Sequence, residues 1–173
     1  MDLNQARGDH MSKNSRVLSK VLQWVLYVLL GCEAVAFVYS IYRFINSSLL
    51  RSHFGMVALL FLFFIIGSAA VAHLLISFIG ITKKLLLDDV FSSQTVKYLK
   101  AIAWDCLVIS FCFFLNFIVN LSNASYEIFK VDMTGVHTDV EYVIFLFAGC
   151  FISILAQVFE QAVKFKEDQD LTI

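Results

Sequence analysis

The chain has 173 residues, of which 60% are hydrophobic and 16% charged, contains no proline and carries a formal net charge of −1. Its polar stretches are too short to fold as a soluble domain, so lipid and other apolar side chains must solvate most of it. With no global basic field, direct binding of nucleic acid or of an anionic substrate is not expected.

Residues 1–20 are polar, mixed in sign and without hydrophobic periodicity, and are expected to form a flexible cytoplasmic tail. The first apolar block covers 21–45 and exceeds the about 20 residues a helix needs to cross a hydrocarbon core. Basic residues followed by the run 21–30 and Gly31-Cys32 look like a secretory signal, but the apolar run continues to Ile45, past any signal core. Glu33 directly after the supposed cleavage point, and Leu30 where a small residue is usual, argue the same way. The span is expected to be retained.

The connection 46–53 is too short to hold anything. The second block, 54–81, carries His73 and the small residues Gly67, Ser68, Ala69 and Ala70, which allow neighbouring helices to approach. The loop 82–100 is the most organised piece outside the membrane. Leu85-Leu86-Leu87, between Lys83-Lys84 and Asp88-Asp89, is expected to rest on the membrane surface. Ser92 is placed to cap a helix, with Phe91 and Val96 at the staple positions on either side, so the third helix starts ahead of its apolar block, 101–119. Tyr98 and Trp104 then fall near headgroup depth, where an apolar ring with a polar edge is favoured.

The stretch 121–141 is a longer loop that sets Glu127, Asp132, Asp139 and Glu141 against Lys130, an acidity that solvation explains better than ligand binding. A fourth block, 142–163, precedes a charged tail, 164–173. The expected fold is all-α: an integral membrane bundle of four transmembrane helices over 21–163, flanked by two tails. Cys32, Cys106, Cys112 and Cys150 all lie inside the spans, with no C-x-x-C and no His at ligand spacing. They read as small apolar packers, and no disulfide, metal or cofactor is expected.

Orientation follows from the charges. Arg7, Lys13, Arg16 and Lys20 precede the first span, Lys83, Lys84, Lys97 and Lys100 lie between the second and third, and Lys164 and Lys166 follow the fourth. Only Arg43, Arg51 and Lys130 remain for the other side, so the positive-inside rule puts both termini and the central loop in the cytoplasm.

The stretch Asp89-Val90-Phe91-Ser92-Ser93-Gln94-Thr95-Val96-Lys97-Tyr98-Leu99-Lys100, with the end of the chain from Phe159 to Asp170-Leu171-Thr172-Ile173, resembles a bacterial family of four-span membrane proteins. That family is known as domain of unknown function 2975. The resemblance covers nearly the whole chain, and its most specific part is the tail closing in Asp-Leu-Thr-Ile. It implies a multi-pass protein of the bacterial cytoplasmic (inner) membrane, often encoded beside a small helix-turn-helix regulator, with no established activity. Where members usually carry Arg after Leu99, this chain has Lys100, which keeps the charge but not the capacity for a bidentate contact.

Ionisable groups inside a bilayer are costly enough to be functional candidates by default, with pairing inside the bundle as the competing explanation. Counting about 1.5 Å per residue, Glu33 lies roughly 18 Å and Asn116 roughly 22 Å from their inner boundaries at Val21 and Ala101, so they are expected to meet near the middle. His73, Asp105 and Gln157 lie roughly 9, 6 and 9 Å deep and are expected to form one polar layer. Asp105, Cys112, Asn116 and Asn120 share a face of the third span; Ser153, Gln157, Glu160 and Lys164 share one of the fourth, and both faces are expected to point inward. Hydrogen bonding that fixes the register of the bundle accounts for these groups best. A sensing site, in which protonation of His73 alters its contact with Asp105, comes second.

No nucleophile, metal-ligand spacing or phosphate-binding loop accompanies these groups, so no enzymatic activity is expected. Organised polar sequence concentrates on the cytoplasmic face, at Phe91, Ser92, Lys97, Lys100, Glu160, Lys164, Lys166, Glu167 and Asp168, which are the candidate contact residues there. The expected function is a membrane-bound regulatory partner. It tethers or antagonises a small helix-turn-helix transcription regulator, whose identity rests on the family resemblance, and answers an envelope signal. A small transporter, channel or immunity-type subunit working through the bundle interior is the alternative. A chain this small needs homo-oligomerisation to form a pore.

Overall fold

A computed structural model of the chain describes residues 3–46, 54–87, 90–120, 129–132, 135–138 and 141–170. Four long helices dominate it: α1 (Leu3–Ile45), α2 (Phe54–Leu86), α3 (Ser93–Asn120) and α4 (Glu141–Asp170). Each contains a stretch long and apolar enough to cross a membrane, Val17–Ile45, Val57–Leu86, Ser93–Val119 and Glu141–Gln169 in turn. A chain in lipid must satisfy its backbone hydrogen bonds internally, and a sequence without proline does so as unbroken helix. At about 1.5 Å per residue these stretches span roughly 40–45 Å, enough to pass through the hydrocarbon core into both headgroup layers. The protein is a multi-pass, all-helical membrane bundle.

The helix ends extend several of the expected boundaries. α1 continues back to Leu3, through the segment predicted to be an irregular tail. Once a membrane span supplies the nucleus, each further residue adds to the helix without the cost of initiation, so polar residues join readily. α2 runs past 81 to Leu86, with Lys83 and Lys84 in its last turn, where cations complement the helix dipole. The Leu87 N–H donates to the carbonyls of Lys83 and Lys84, both at 3.2 Å, and closes the turn. Leu85 and Leu86, expected to rest on the membrane surface as part of the loop, instead continue α2 through its last turn, with Leu85 and Leu87 exposed; Asp88 and Asp89 lie outside the described residues. α3 begins where the cap places it. The Thr95 N–H donates to Ser92 Oγ at 3.4 Å and to the Ser92 carbonyl at 3.0 Å.

Within the loop expected over 121–141, β1 (Phe129–Asp132) and β2 (Gly135–Thr138) form a short antiparallel ladder with Phe129 opposite Thr138 and Asp132 opposite Gly135. Glu127 and Asp139 of that acidic loop are outside the described residues.

Side-chain contacts define the helix directions. Phe37 stacks with Phe64 and Phe44 with Phe61, so α2 descends as α1 climbs. His73–Asp105 and the Gly80–Tyr98 contact set the same relation between α2 and α3, and Phe91–Phe159 with Phe113–Phe145 set it between α3 and α4. An up-down-up-down course brings the ends of α1 and α4 nearest the termini to the same side of the bundle, beside the α2–α3 connection.

Packing follows chain order: α1 on α2, α2 on α3 and α3 on α4, with no comparable contact between α1 and α4 among the described residues. The bundle is therefore open on one side, and α3 is its centre. Ile102 and Ile109 of α3 are fully buried, with Ala103, Cys106 and Cys112 buried around them. On α1 only Ser19 and Leu26 are buried among the side chains described, which leaves most of the stretch from Val17 to Ile45 to lipid or to its seam with α2.

The inward face of α4 differs from the one expected. Gly149, Ala156 and Val163, seven residues apart, point at α3, while Ser153 and Glu160 are half-buried and Gln157 and Lys164 exposed. A Cβ on Gly149 would lie 3.1 Å from the Ala103 carbonyl oxygen and 3.2 Å from Cys106 Cβ. In lipid, close packing of small residues is worth more than aiming polar side chains inward, so the small stripe takes the interface. The polar stripe beside it is turned to the edge.

Candidate functional site

Polar groups gather at two levels within the spans. In the half of the bundle away from the termini, Ser68 Oγ of α2 donates to Glu33 Oε1 of α1 at 2.6 Å. Beside this pair lies a cavity of ≈ 310 Å³ between α1, α2 and α3, lined by Glu33, Ser68 and Asn116 and walled by Phe63, Phe64 and Phe113 among others. Glu33 and Asn116, expected to meet near mid-membrane, thus share one cavity. Gly67 on its wall leaves the space open, since a Cβ there would find only Cys112 Cβ, at 3.8 Å.

Nearer the other end, His73 Nδ1 of α2 meets Asp105 Oδ2 of α3 at 2.8 Å. The two members are unequally placed: the Asp105 side chain is 9% exposed and that of His73 59%. Burial makes the carboxylate dependent on the one ring nitrogen that reaches it, while the remainder of the imidazole looks out of the bundle. Gln157, expected in the same polar layer, is exposed on α4 and does not join it. The layer is a pair, because α4 presents Ala156 rather than Gln157 to α3.

At the end of the bundle that carries both termini, Lys100 of α3 donates to Glu160 Oε2 of α4 at 2.8 Å, and Lys164 Nζ lies 3.8 Å from Glu160 Oε1. Glu160 therefore ties two helices together as well as making the ordinary i,i+4 pair with Lys164. Phe91 stacks on Phe159 with ring centroids 5.5 Å apart, so this half of the predicted staple reaches across to α4 and ties the cap of α3 to it. Lys97, Lys166, Glu167 and Asp168 are exposed, and Ser92 is half-buried in its cap.

Three contacts escaped the sequence reading. Ser68 figured there only as a small residue, although a hydroxyl beside an intramembrane carboxylate is a natural partner. Ser110 Oγ donates to the Tyr142 carbonyl at 2.7 Å and fastens the start of α4 to α3. Tyr98 lies so close to Gly80 that a Cβ on the glycine would sit 2.6 Å from the ring. No spacing rule marks a glycine on one helix as the seat of an aromatic on the next. Among the described residues no group of three His, Cys, Asp or Glu side chains gathers as a metal site.

The model of a family described as a protein of unknown function (DUF2975) matches residues 20–173. No curated protein and no solved structure matches the chain. The match begins three residues into the first span and takes in the rest of it, the other three spans and the tail after α4, and the chain belongs to that family.

Proposed function

We propose that this member of the family is a membrane-bound regulatory partner, which holds a small helix-turn-helix transcription regulator at the lysine-rich end of its bundle and so sequesters or antagonises it. In this reading that end, with both termini, faces the cytoplasm, as the positive-inside rule favours, and the membrane is a bacterial inner one, which the resemblance to bacterial proteins supports. The observation that carries the reading is the last stretch of α4. Beyond buried Val163 the helix continues to Asp170, with residues 164–169 exposed on every side. A helix end that is charged or polar apart from Phe165, with every side chain from 164 to 169 exposed among the described residues, suits a protein partner in water. Lys100, Glu160 and Phe91–Phe159 hold its root in place, so the projection is presented at a fixed angle. No chemical step is assigned to the protein; release on an envelope signal is the regulated event.

Chemical crosslinking in native membranes, purification of the intact protein and mass spectrometry of what comes with it test the proposal. The expected capture is a small helix-turn-helix protein, lost when Lys164 and Lys166 are changed to Glu. Recovery of the protein alone, under conditions that capture a known membrane complex, overturns it. The cavity at Glu33 favours a second reading, a small transporter, channel or immunity-type subunit acting through the bundle interior. Flux that disappears in E33Q and persists in K164E/K166E would select that reading.

A further inference from the structure

We infer that the cavity between α1, α2 and α3 is a binding site for a small lipophilic cation, an ammonium compound bearing one aromatic ring. The inference is independent of the tethering proposal. It concerns the opposite half of the bundle and rests on the charge, the walls and the size of the cavity.

Charge comes first. Among the described residues Glu33 makes no ion pair; its partner is the hydroxyl of Ser68, which orients one carboxylate oxygen but brings no positive charge. No Lys, Arg or His lines the cavity. A carboxylate placed within a span is costly, and a cation beside it removes that cost. An anion has nothing to bind here.

The walls decide which cation. A hard, strongly hydrated ion needs about six oxygen ligands to replace its water, and the side chains lining this cavity offer oxygen only from Glu33, Ser68 and Asn116. Phe63, Phe64 and Phe113 instead present rings, whose π faces attract a weakly hydrated organic cation and whose apolar area suits its carbon skeleton. Size sets the rest. An apolar cavity of about 150 Å³ accommodates benzene. At ≈ 310 Å³ this cavity has room for one ring, a short linker and a methylated ammonium head.

The test uses the full chain purified into phosphatidylcholine nanodiscs, whose zwitterionic lipid does not itself concentrate cations. The probe is radiolabelled benzyltrimethylammonium, and the competitors are the unlabelled compound and its uncharged carbon isostere, neopentylbenzene. The expected result is saturable binding, displaced by the cation and not by the isostere. E33Q, which keeps the shape of the side chain and removes its charge, is expected to weaken binding at least about tenfold. Gly67→Leu, which fills the cavity without touching the carboxylate, is expected to weaken it as well, and decides the matter if E33Q does not fold. Absence of saturable binding, equal displacement by the isostere, or full affinity in E33Q or in G67L overturns the inference. Equal displacement would identify the cavity as a seat for uncharged acyl or aryl groups.

Discussion

His73 and Asp105 meet across the α2–α3 interface at 2.8 Å, and only the carboxylate is buried. The asymmetry means that the two residues are not equivalent under mutation. Removing the imidazole strands a buried charge, whereas replacing the carboxylate by an amide leaves a neutral group that still hydrogen-bonds. Interhelical hydrogen bonds in membranes average only about 0.6 kcal/mol because the unfolded chain also finds partners, but a buried acceptor left unmatched costs about 1–3 kcal/mol. H73A is therefore expected to lower stability by about 1–2 kcal/mol and D105N by clearly less, measured by denaturant unfolding in mixed micelles. Equal losses would mean that the pair acts as packing rather than as charge compensation.

Gly149 and Gly31 form an internal comparison. A Cβ at Gly149 meets the Ala103 backbone oxygen at 3.1 Å, and backbone cannot swing aside, whereas one at Gly31 meets nothing within 4 Å. Gly149→Ala is expected to push α4 from α3 at a cost of about 1–3 kcal/mol. Gly31→Ala relieves the flexibility of a glycine within a helix and is expected to be neutral or stabilising by up to about 1 kcal/mol. The same unfolding assay reads both.

Gly80 and Tyr98 are coupled. A Cβ at Gly80 would lie 2.6–2.9 Å from three atoms of the Tyr98 ring, far inside contact distance. G80A is expected to displace the Tyr98 ring and to destabilise more in the wild-type background than in Y98A, where the ring is gone. A double-mutant cycle should return a coupling of about 0.5–3 kcal/mol. A coupling of zero would place the ring elsewhere.

Ser92 caps α3 through the Thr95 N–H and also lies 3.1 Å, Oγ to Oγ1, from the Thr95 hydroxyl. S92A is expected to cost about 0.5–2 kcal/mol, and S92G, which keeps the backbone geometry favourable, only a few tenths. Amide exchange at Thr95 and Val96 should quicken in S92A while residues deep in the span stay protected.

The spans and the start of α3 were legible in the sequence because each rests on a local rule. Apolar length identifies a span, and Ser92 ahead of Val96 identifies a cap. That His73 and Asp105 share one depth and Glu33 and Asn116 another was legible too, since helical rise converts sequence number into depth; the first two meet, whereas the second two line one cavity and Glu33 bonds to Ser68. Depth does not fix rotation. Gln157 has the right depth for the His73–Asp105 layer and the wrong azimuth, because Gly149, Ala156 and Val163 claimed the interface through close packing. Tyr98 at Gly80 and Ser68 at Glu33 were not legible for the same reason: each needs the angle between two helices.

By itself the sequence determined how many apolar segments are long enough to cross the membrane and where the cap starts α3, because backbone hydrogen bonds in lipid must close within each segment; how far α1, α2 and α4 run beyond their apolar blocks it did not mark. Only the tertiary structure decided which faces meet, why the bundle stays open between α1 and α4, and which polar groups find one another. In water an apolar stripe marks the side to be buried; helices that are apolar all round carry no such mark, and lipid rewards neither face over the other. The choice then falls to packing between particular side chains, a glycine under a tyrosine or a serine against a glutamate, which exists only once the helices stand side by side.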